Sequence, residues 1–213
     1  MEGKPRVTIT GITGYLGAQV CLHFLKDGGY AVRGTVRDMK NAAKMEPLKV
    51  AFGEYYDQME FKEADLLNED SMIAAMEGSD YIVHTASPFP IEAPKDENVL
   101  IKPAVQGTLA ACKAAQINKV KKLVITSSVA AIMDREDKKN RNFGPEDWSE
   151  TKIQKPYPKS KTLAEKAAWD FVAALPDEEK FDLVIINPGL ILGPNLNKCN
   201  FSSGDIMKKI LLN

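Results

Sequence analysis

Apolar positions along the chain follow two alternating patterns. Short runs of β-branched and other apolar residues predict six strands, at 6–10, 30–36, 59–62, 80–85, 122–126 and 182–186. Longer segments with apolar residues at helical spacing predict helices at 15–26, around 71–76, at 98–116 with a break or bend near Pro103, at 160–174 and at 202–212. The two patterns alternate from the first strand to the last helix.

This alternation predicts the fold class. A strand followed by a helix and another strand usually places the two strands parallel, and the helices then cover both faces of the sheet. We therefore expect an α/β fold with a doubly wound, mostly parallel sheet of the Rossmann type. With 213 residues, the chain has enough sequence for one well-formed core and little for a second.

Composition and charge argue against several classes of protein. Apolar residues make up 44% and the formal net charge is -1, which fits a folded domain and gives no reason to expect nucleic acid or a membrane as partner. The cysteines, Cys21, Cys112 and Cys199, are far apart, so we expect neither a disulfide framework nor a metal site. Cys21 and Cys112 fall within helical patterns and are expected in the core. Without a leader-like segment or a membrane-length apolar stretch, the expected location is cytoplasmic.

A glycine-rich turn joins the first predicted strand to the first helix. Gly11, Gly14 and Gly17 have the spacing GxxGxxG, which allows a tight turn, a close approach of the backbone to a pyrophosphate and close packing of helix on strand. The N–H groups at the start of the helix then face the negative charge. Because the strand and the helix flank the glycines as this arrangement requires, the sequence predicts a dinucleotide site.

The end of the second predicted strand bears on the choice of dinucleotide. Arg37 follows the last apolar residue of that strand, where a guanidinium can bind a 2′-phosphate, and Lys44 adds a second positive charge nearby. Asp38 is the competing residue, because a carboxylate at this place would bind the ribose hydroxyl of NAD. The pattern favours NADP(H) and leaves NAD(H) open.

Two further segments carry candidate catalytic groups. Ser127 and Ser128 follow the fifth strand, at the edge of the sheet where α/β proteins bind their ligands. Tyr157 and Lys161 are four residues apart at a helix start, so they share one face, and the lysine charge is expected to lower the pKa of the phenol. Such a tyrosine can deliver a proton to a carbonyl oxygen that a serine hydroxyl holds in place. His84, at a strand end, is expected to be a hydrogen-bonded structural histidine.

These segments together resemble the extended short-chain dehydrogenases/reductases. Within that superfamily, the chain is similar to the group of dihydroflavonol, vestitone and cinnamoyl-CoA reductases. The resemblance is carried by 10–17 (TGITGYLG), 32–38 (VRGTVRD), 64–66 (ADL), 84–88 (HTASP), 126–128 (TSS), 157–169 (YPKSKTLAEKAAW) and 187–189 (NPG). It implies an NADP-binding domain over residues 1–190 and the start of a substrate-binding region over 191–213, with most of the C-terminal lobe of the family missing.

The resemblance also implies roles for single residues. Ser128 matches the serine that holds the carbonyl, Tyr157 the proton donor, and Lys161 its partner, which also binds the nicotinamide ribose. The implied cofactor contacts are the turn residues Gly11, Thr13, Gly14, Tyr15, Leu16 and Gly17, the 2′-phosphate ligands Arg37 and Lys44, the adenine contacts Asp65 and Leu66, the residues Thr85, Ala86 and Ser87 along the cofactor, and Pro188 beside the nicotinamide.

The chain also departs from the family pattern. Segment 103–108 lacks the asparagine that helps a proton relay in many members, as the plant reductases also tend to do, and the stretch between Ser128 and Tyr157 is shorter than in the flavonoid enzymes. We expect an NADPH-dependent reductase of a ketone or aldehyde, monomeric or homodimeric, and the short stretch before Tyr157 argues against flavonoid specificity. The alternatives are a nucleotide-sugar epimerase or dehydratase that uses NAD, and a non-catalytic NADP-binding module.

Overall fold

Strands and helices alternate along the chain in the order that the sequence predicts. The computed structural model describes residues 3–87, 96–136, 142–199 and 202–212. Within these residues the strands are β1 (Arg6–Thr10), β2 (Ala31–Val36), β3 (Glu60–Glu63), β4 (Tyr81–His84), β5 (Lys122–Thr126) and β6 (Asp182–Ile186). The α-helices are α1 (Tyr15–Asp27), α2 (Ala42–Phe52), α3 (Glu69–Ala75), α4 (Asn98–Ile117), α5 (Pro156–Ala173) and α6 (Ser202–Leu212).

The six strands form one sheet in the order β3-β2-β1-β4-β5-β6, and every pairing in it is parallel. Val7 of β1 lies opposite Val32 of β2 on one side and opposite Tyr81 of β4 on the other. The chain order reverses between β1 and β4, so the loops after these two strands diverge and leave a crevice at their carboxyl ends. The predicted doubly wound sheet is confirmed, and the crevice marks where a ligand belongs.

Each face of the sheet has its own hydrophobic core. On one face Val7 and Ile9 of β1 pack with α1 and α2, and on the other Ile82 and Leu123 pack with α3, α4 and α5. Alternate residues of a strand point to opposite faces, which is why Thr8 and Thr10 of β1 do not join the first core. Cys21 and Cys112 are fully buried, one in each core, as expected from the sequence.

Two helices differ from the prediction in ways that affect the site. Helix α5 begins at Pro156, before the predicted start at 160, because proline at the first helical position loses no hydrogen bond. Helix α4 continues through Pro103 rather than breaking there, since its buried face, including Ala104 and Gly107, packs against α5 and Leu66. Tyr157 consequently lies in the first turn of α5, as the predicted site requires.

Helix α2 was not predicted from the sequence. Its buried residues are Leu48 and Phe52, so it presents too few apolar positions to show a helical period. Among the described residues, no helix combines the length and the apolar character needed to cross a bilayer.

Candidate active site and dinucleotide cradle

The glycine turn is shaped by contacts that exclude side chains. Gly11 has φ of +69°, and a Cβ placed on it would lie 2.9 Å from Cα of Ala86. Gly14 donates its N–H to the Gly11 carbonyl at 2.9 Å, which closes the turn. A Cβ on Gly17 would overlap the Gly11 carbonyl oxygen. Two of the three glycines are therefore required by the backbone path itself.

The start of helix α1 is suited to an anion. Gly14 is its N-cap and supplies no side-chain cap, and the first turn contains no acidic residue. The first N–H groups of any helix lack intrahelical partners and carry the positive end of its dipole. Together with the glycine cradle, this end of α1 fits the pyrophosphate of a dinucleotide.

The loop after β4 is held against the glycine turn by Thr10. The Oγ1 of Thr10 accepts from the N–H groups of Thr85 and Ala86, both at 3.1 Å, and the Thr85 hydroxyl donates to the Thr10 carbonyl at 2.5 Å. Thr85 and Ala86 are thus held beside the turn, and contact of Thr85, Ala86 and Ser87 with a cofactor stays a prediction. Pro88, quoted in the same motif, lies outside the described residues.

His84 is tied to the same threonine. Since two N–H groups already occupy the lone pairs of Thr10 Oγ1, the Thr10 hydroxyl donates its proton to Nδ1 of His84 at 3.0 Å, and the imidazole carries its proton on Nε2. Burial, together with the smaller effect of the positive charge of Lys161, lowers the pKa of His84 to about 4. His84 is therefore a neutral, hydrogen-bonded structural residue, as expected.

The residues predicted to select the dinucleotide lie on the surface next to the turn. Arg37 follows β2 and Lys44 lies on α2; both are exposed. Asp38 is exposed too, but its Oδ1 accepts from the N–H of Lys40 at 2.8 Å, so its carboxylate is partly committed to the local turn. The basic pair is accessible to a phosphate, and its contact with one remains a prediction.

The residues predicted at the adenine have different surroundings. Asp65 is exposed, and its Oδ1 accepts from the N–H of Leu67 at 2.8 Å. Leu66 is half-buried and packs against Gly107 of α4. Leu66 therefore has a packing role whether or not it contacts an adenine.

Lys161 is buried beneath the end of β5. Its Nζ donates to the carbonyl oxygen of Thr126 at 3.2 Å, two residues before Ser128. Burial lowers the pKa of Lys161 to about 8, and the negative charge of Glu165 opposes this effect. The lysine predicted to assist Tyr157 is thus held at the carboxyl edge of the sheet with its charge in a dry environment.

Tyr157 differs from the sequence prediction in one respect. Its pKa was expected to fall through the nearby lysine, whereas burial of the phenol raises the pKa. The sequence spacing places Lys161 on the same face of the helix but does not reveal burial, and the loss of hydration is what raises the pKa of the phenol. A raised pKa keeps Tyr157 protonated at neutral pH.

The two serines after β5 differ in burial and in hydrogen bonding. Ser128 is half-buried and its Oγ accepts from the N–H of Ala130 at 3.2 Å. The Ser127 hydroxyl is buried and has no hydrogen-bond partner among the described residues. This arrangement favours Ser128 over Ser127 as the serine that can meet a substrate.

Asn187, whose role the sequence did not indicate, fixes the loop that follows β5. Its Nδ2 donates to the Ser128 carbonyl at 3.0 Å and to Oε2 of Glu165 at 2.8 Å. The carbonyl of the next residue, Pro188, accepts from the N–H of Val129 at 3.0 Å. The end of β6 therefore holds both Ser128 and helix α5.

A second unpredicted contact brings the C-terminal segment to the glycine turn. Asn197 is buried and its Nδ2 donates to the carbonyls of Thr13 at 2.8 Å and Gly14 at 3.3 Å. The Tyr15 hydroxyl and the Gln19 amide donate to the carbonyls of Gly193 and Pro194, both at 2.8 Å. The segment that begins the predicted substrate region thus lies on the turn, and no local sequence pattern indicates a contact between residues this far apart.

Comparison with known proteins agrees with this geometry. Residues 7–212 match the NAD dependent epimerase/dehydratase family. The chain is 36% identical over 203 residues to an anthocyanidin reductase of Vitis vinifera, covering 91% of this chain and 58% of the relative. It is 36% identical over 199 residues to dihydroflavonol 4-reductase of Arabidopsis thaliana, covering 90% and 50%. The chain thus spans little more than half the length of these relatives.

Solved structures give the same result. The crystal structure of vestitone reductase from alfalfa has a TM-score of 0.76 at 31% identity, covering 98% of this chain and 63% of that one. The yeast methylglyoxal/isovaleraldehyde reductase in complex with NADPH has a TM-score of 0.77 at 29% identity, covering 90% and 59%. The resemblance to extended short-chain reductases is confirmed.

Proposed function

The chain belongs to the NAD dependent epimerase/dehydratase family, and we propose that it is an NADPH-dependent reductase of a small ketone or aldehyde. One observation carries the proposal. Lys161 is buried with its ammonium at the end of β5, one helical turn from Tyr157 and two residues along the strand from Ser128. A charge, an acid and a hydroxyl donor near one another at the sheet edge where α/β proteins bind substrates support the proposal.

NADPH, when bound, supplies the hydride. The turn residues Gly11, Thr13, Gly14, Tyr15, Leu16 and Gly17 would hold its pyrophosphate, Arg37 and Lys44 its 2′-phosphate, Asp65 and Leu66 its adenine, and Thr85, Ala86, Ser87, Tyr157, Lys161 and Pro188 the remainder. The cradle that leaves no room for a Cβ on Gly11 or Gly17 supports this assignment, as does the NADPH complex of the similar yeast reductase.

The proton comes from this chain. Tyr157 donates it to the carbonyl oxygen, and the raised pKa of its phenol keeps that proton in place at neutral pH. Ser128 holds the same oxygen through its hydroxyl. The protonated amine of Lys161 stabilises the phenolate that remains. Because the pKa of Lys161 is about 8, the reaction requires a pH below that value.

Replacement of Tyr157 by phenylalanine tests the mechanism. The Tyr157→Phe variant is expected to bind NADPH as the unchanged protein does and to lose roughly 10²- to 10⁴-fold in turnover, because it lacks only the acid. NADPH binding is followed by fluorescence, and turnover by loss of NADPH absorbance with a panel of aldehydes and ketones. Undiminished turnover in the variant rules the mechanism out.

A non-catalytic NADP-binding module is the second candidate, because the chain spans 58% and 50% of the relatives compared above. NADPH binding without oxidation by any carbonyl of the panel would favour it. A nucleotide-sugar epimerase or dehydratase would instead hold NAD, which the exposed Arg37 disfavours. The proposed location is cytoplasmic, and the proposed assembly a monomer or a homodimer.

A further inference from the structure

A buried polar recess lies behind the amine of Lys161, between the ends of β4 and β5 and the helices α4 and α5. Its polar walls are the half-buried side chain of Ser87 and the side chains of His84, Thr108, Ser127, Lys161 and Glu165, and each of the last five is less than a tenth exposed. The Ser127 hydroxyl in this wall has no hydrogen-bond partner among the described residues. Burial of polar and charged groups costs free energy unless they form hydrogen bonds or lie near opposite charges.

Lys161 and Glu165 are the charged residues of this recess. They are four residues apart on α5, so both side chains lie on the same face of the helix. Neither forms a direct ion pair among the described residues, and each is instead held by a neutral group: Lys161 by the Thr126 carbonyl and Glu165 by the Asn187 amide. Two buried opposite charges that share a cavity stabilise each other at longer range than they would in water.

The other groups that face Lys161 cannot supply this charge. His84, from β4, is neutral, and Tyr157, on the same helix, is protonated at neutral pH. Helix α4 contributes Ala104 and Thr108, and β5 contributes Ser127 and the Thr126 carbonyl, none of which is charged. Glu165 is therefore the compensating anion of the recess.

We propose that Glu165 is a positioning residue for the reaction, which keeps Lys161 protonated in its buried site while Asn187 fixes both Glu165 and Ser128. The inference rests on the proposed function in so far as that function uses the charge of Lys161. It adds a carboxylate that acts through Lys161 and not by contact with the substrate. Because the same Nδ2 of Asn187 donates to Glu165 and to the Ser128 carbonyl, it also connects the position of Glu165 to that of Ser128.

The test replaces Glu165 by glutamine, which has nearly the same shape and keeps an oxygen that accepts from Asn187 but removes the charge. The protonation of Lys161 is measured directly, from the pH dependence of its Nζ and Cε NMR signals in ¹⁵N- and ¹³C-labelled protein, assigned with Lys161→Arg. In Glu165→Gln the titration midpoint should move to lower pH by about one unit. The alkaline limit of NADPH oxidation should move with it.

The matched control is Asp170→Asn, which removes an exposed carboxylate from the same helix and should leave the midpoint of Lys161 where it is. If Glu165→Gln does not fold, Glu165→Asp decides the question, since it retracts the charge by one methylene and should move the midpoint in the same direction by less. An unchanged Lys161 midpoint in the folded variant overturns the inference.

The NMR titration also separates this inference from the proposed function. It reports on Lys161 without any substrate, so the midpoint can move in Glu165→Gln even if Tyr157→Phe reduces carbonyls normally. That combination would support the role of Glu165 and reject the reductase mechanism. If instead Tyr157→Phe loses turnover and the titration midpoint of Lys161 does not move in Glu165→Gln, the reductase mechanism is supported and the role of Glu165 is rejected.

Discussion

Gly17 packs directly on the carbonyl oxygen of Gly11, which leaves no space for even a methyl group on Gly17. A Cβ there would overlap that oxygen and would lie 2.8 Å from the Thr85 hydroxyl. The first obstacle is backbone, so rotation of one side chain cannot relieve the overlap. The turn, the start of α1 and the loop after β4 therefore meet at one crowded point.

We expect Gly17→Ala to destabilise the fold by roughly 1–3 kcal/mol, because the helix must move away from the strand. NADPH binding should weaken in the same variant, since the N–H groups at the start of α1 move with the helix. Urea denaturation and NADPH fluorescence measure the two effects. Gly189→Ala is the control, because nothing lies within 4 Å of a Cβ at that position, and equal stability of the two variants would contradict the packing argument.

His84 should make the protein less stable in acid. Its pKa falls from the ordinary 6.5 to about 4 in the fold, so between these values the unfolded chain binds more protons than the folded one. The free energy of unfolding therefore decreases as the pH falls through this range, by about 3 kcal/mol when the shift is complete.

His84→Asn removes this titration and keeps a polar atom near Thr10. The difference in unfolding free energy between variant and unchanged protein should grow in favour of the variant from pH 6.5 to pH 4, the window set by the shift of His84. Denaturant titrations across this range give the difference. His23→Asn, an exposed change on α1, should show no such trend, and parallel curves for His84→Asn would refute the argument.

Arg37 should discriminate between the two nicotinamide dinucleotides. Arg37→Gln is expected to weaken NADPH binding roughly ten- to a hundredfold, through loss of hydrogen bonds to a charged phosphate, and to leave NADH binding unchanged. Lys44→Gln should act in the same direction but by less, because the side chain is an exposed point charge. Titration calorimetry with both dinucleotides measures these effects. If Asp38→Asn weakens NADH binding and Arg37→Gln leaves NADPH binding unaltered, the assignment is wrong.

Asn197 should control how firmly residues 193–199 are attached to the glycine turn. Asn197→Ala removes two donations to turn carbonyls, and we expect amide hydrogen exchange to increase in residues 193–199 by roughly tenfold or more, the equivalent of one or two hydrogen bonds. Leu192→Ala, an exposed change just before the segment, should leave exchange in residues 193–199 unaltered. Equal exchange in both variants would show that Asn197 does not hold the segment.

The strands of this fold can be predicted from the sequence because each one is a short, local run of apolar residues. The bounds of β5 and β6 agree with prediction to the residue, since Lys122–Thr126 and Asp182–Ile186 are short runs of β-branched and other apolar residues. Helix α2 was missed because its buried residues are only Leu48 and Phe52.

The candidate site can be predicted only in part from local sequence. The spacing of Tyr157 and Lys161 follows from helix geometry, which is a local property. The raised pKa of Tyr157 depends on burial, and the donations from Asn187 depend on which strands are neighbours. Contacts of this kind join residues far apart in the chain, so no window of sequence contains them.

The attachment of residues 193–199 has a mechanical consequence. The side chains of Asn197, Tyr15 and Gln19 all donate to main-chain carbonyls. The contact therefore depends on the backbone path of the accepting residues and not on their side chains. Helix α6 is attached to the same stretch of chain, because the Ser203 hydroxyl accepts from the N–H of Ile191 at 3.2 Å. A ligand that orders the glycine turn is therefore expected to favour the attached arrangement of this stretch, and loss of the attachment is expected to weaken binding of the ligand by the same factor.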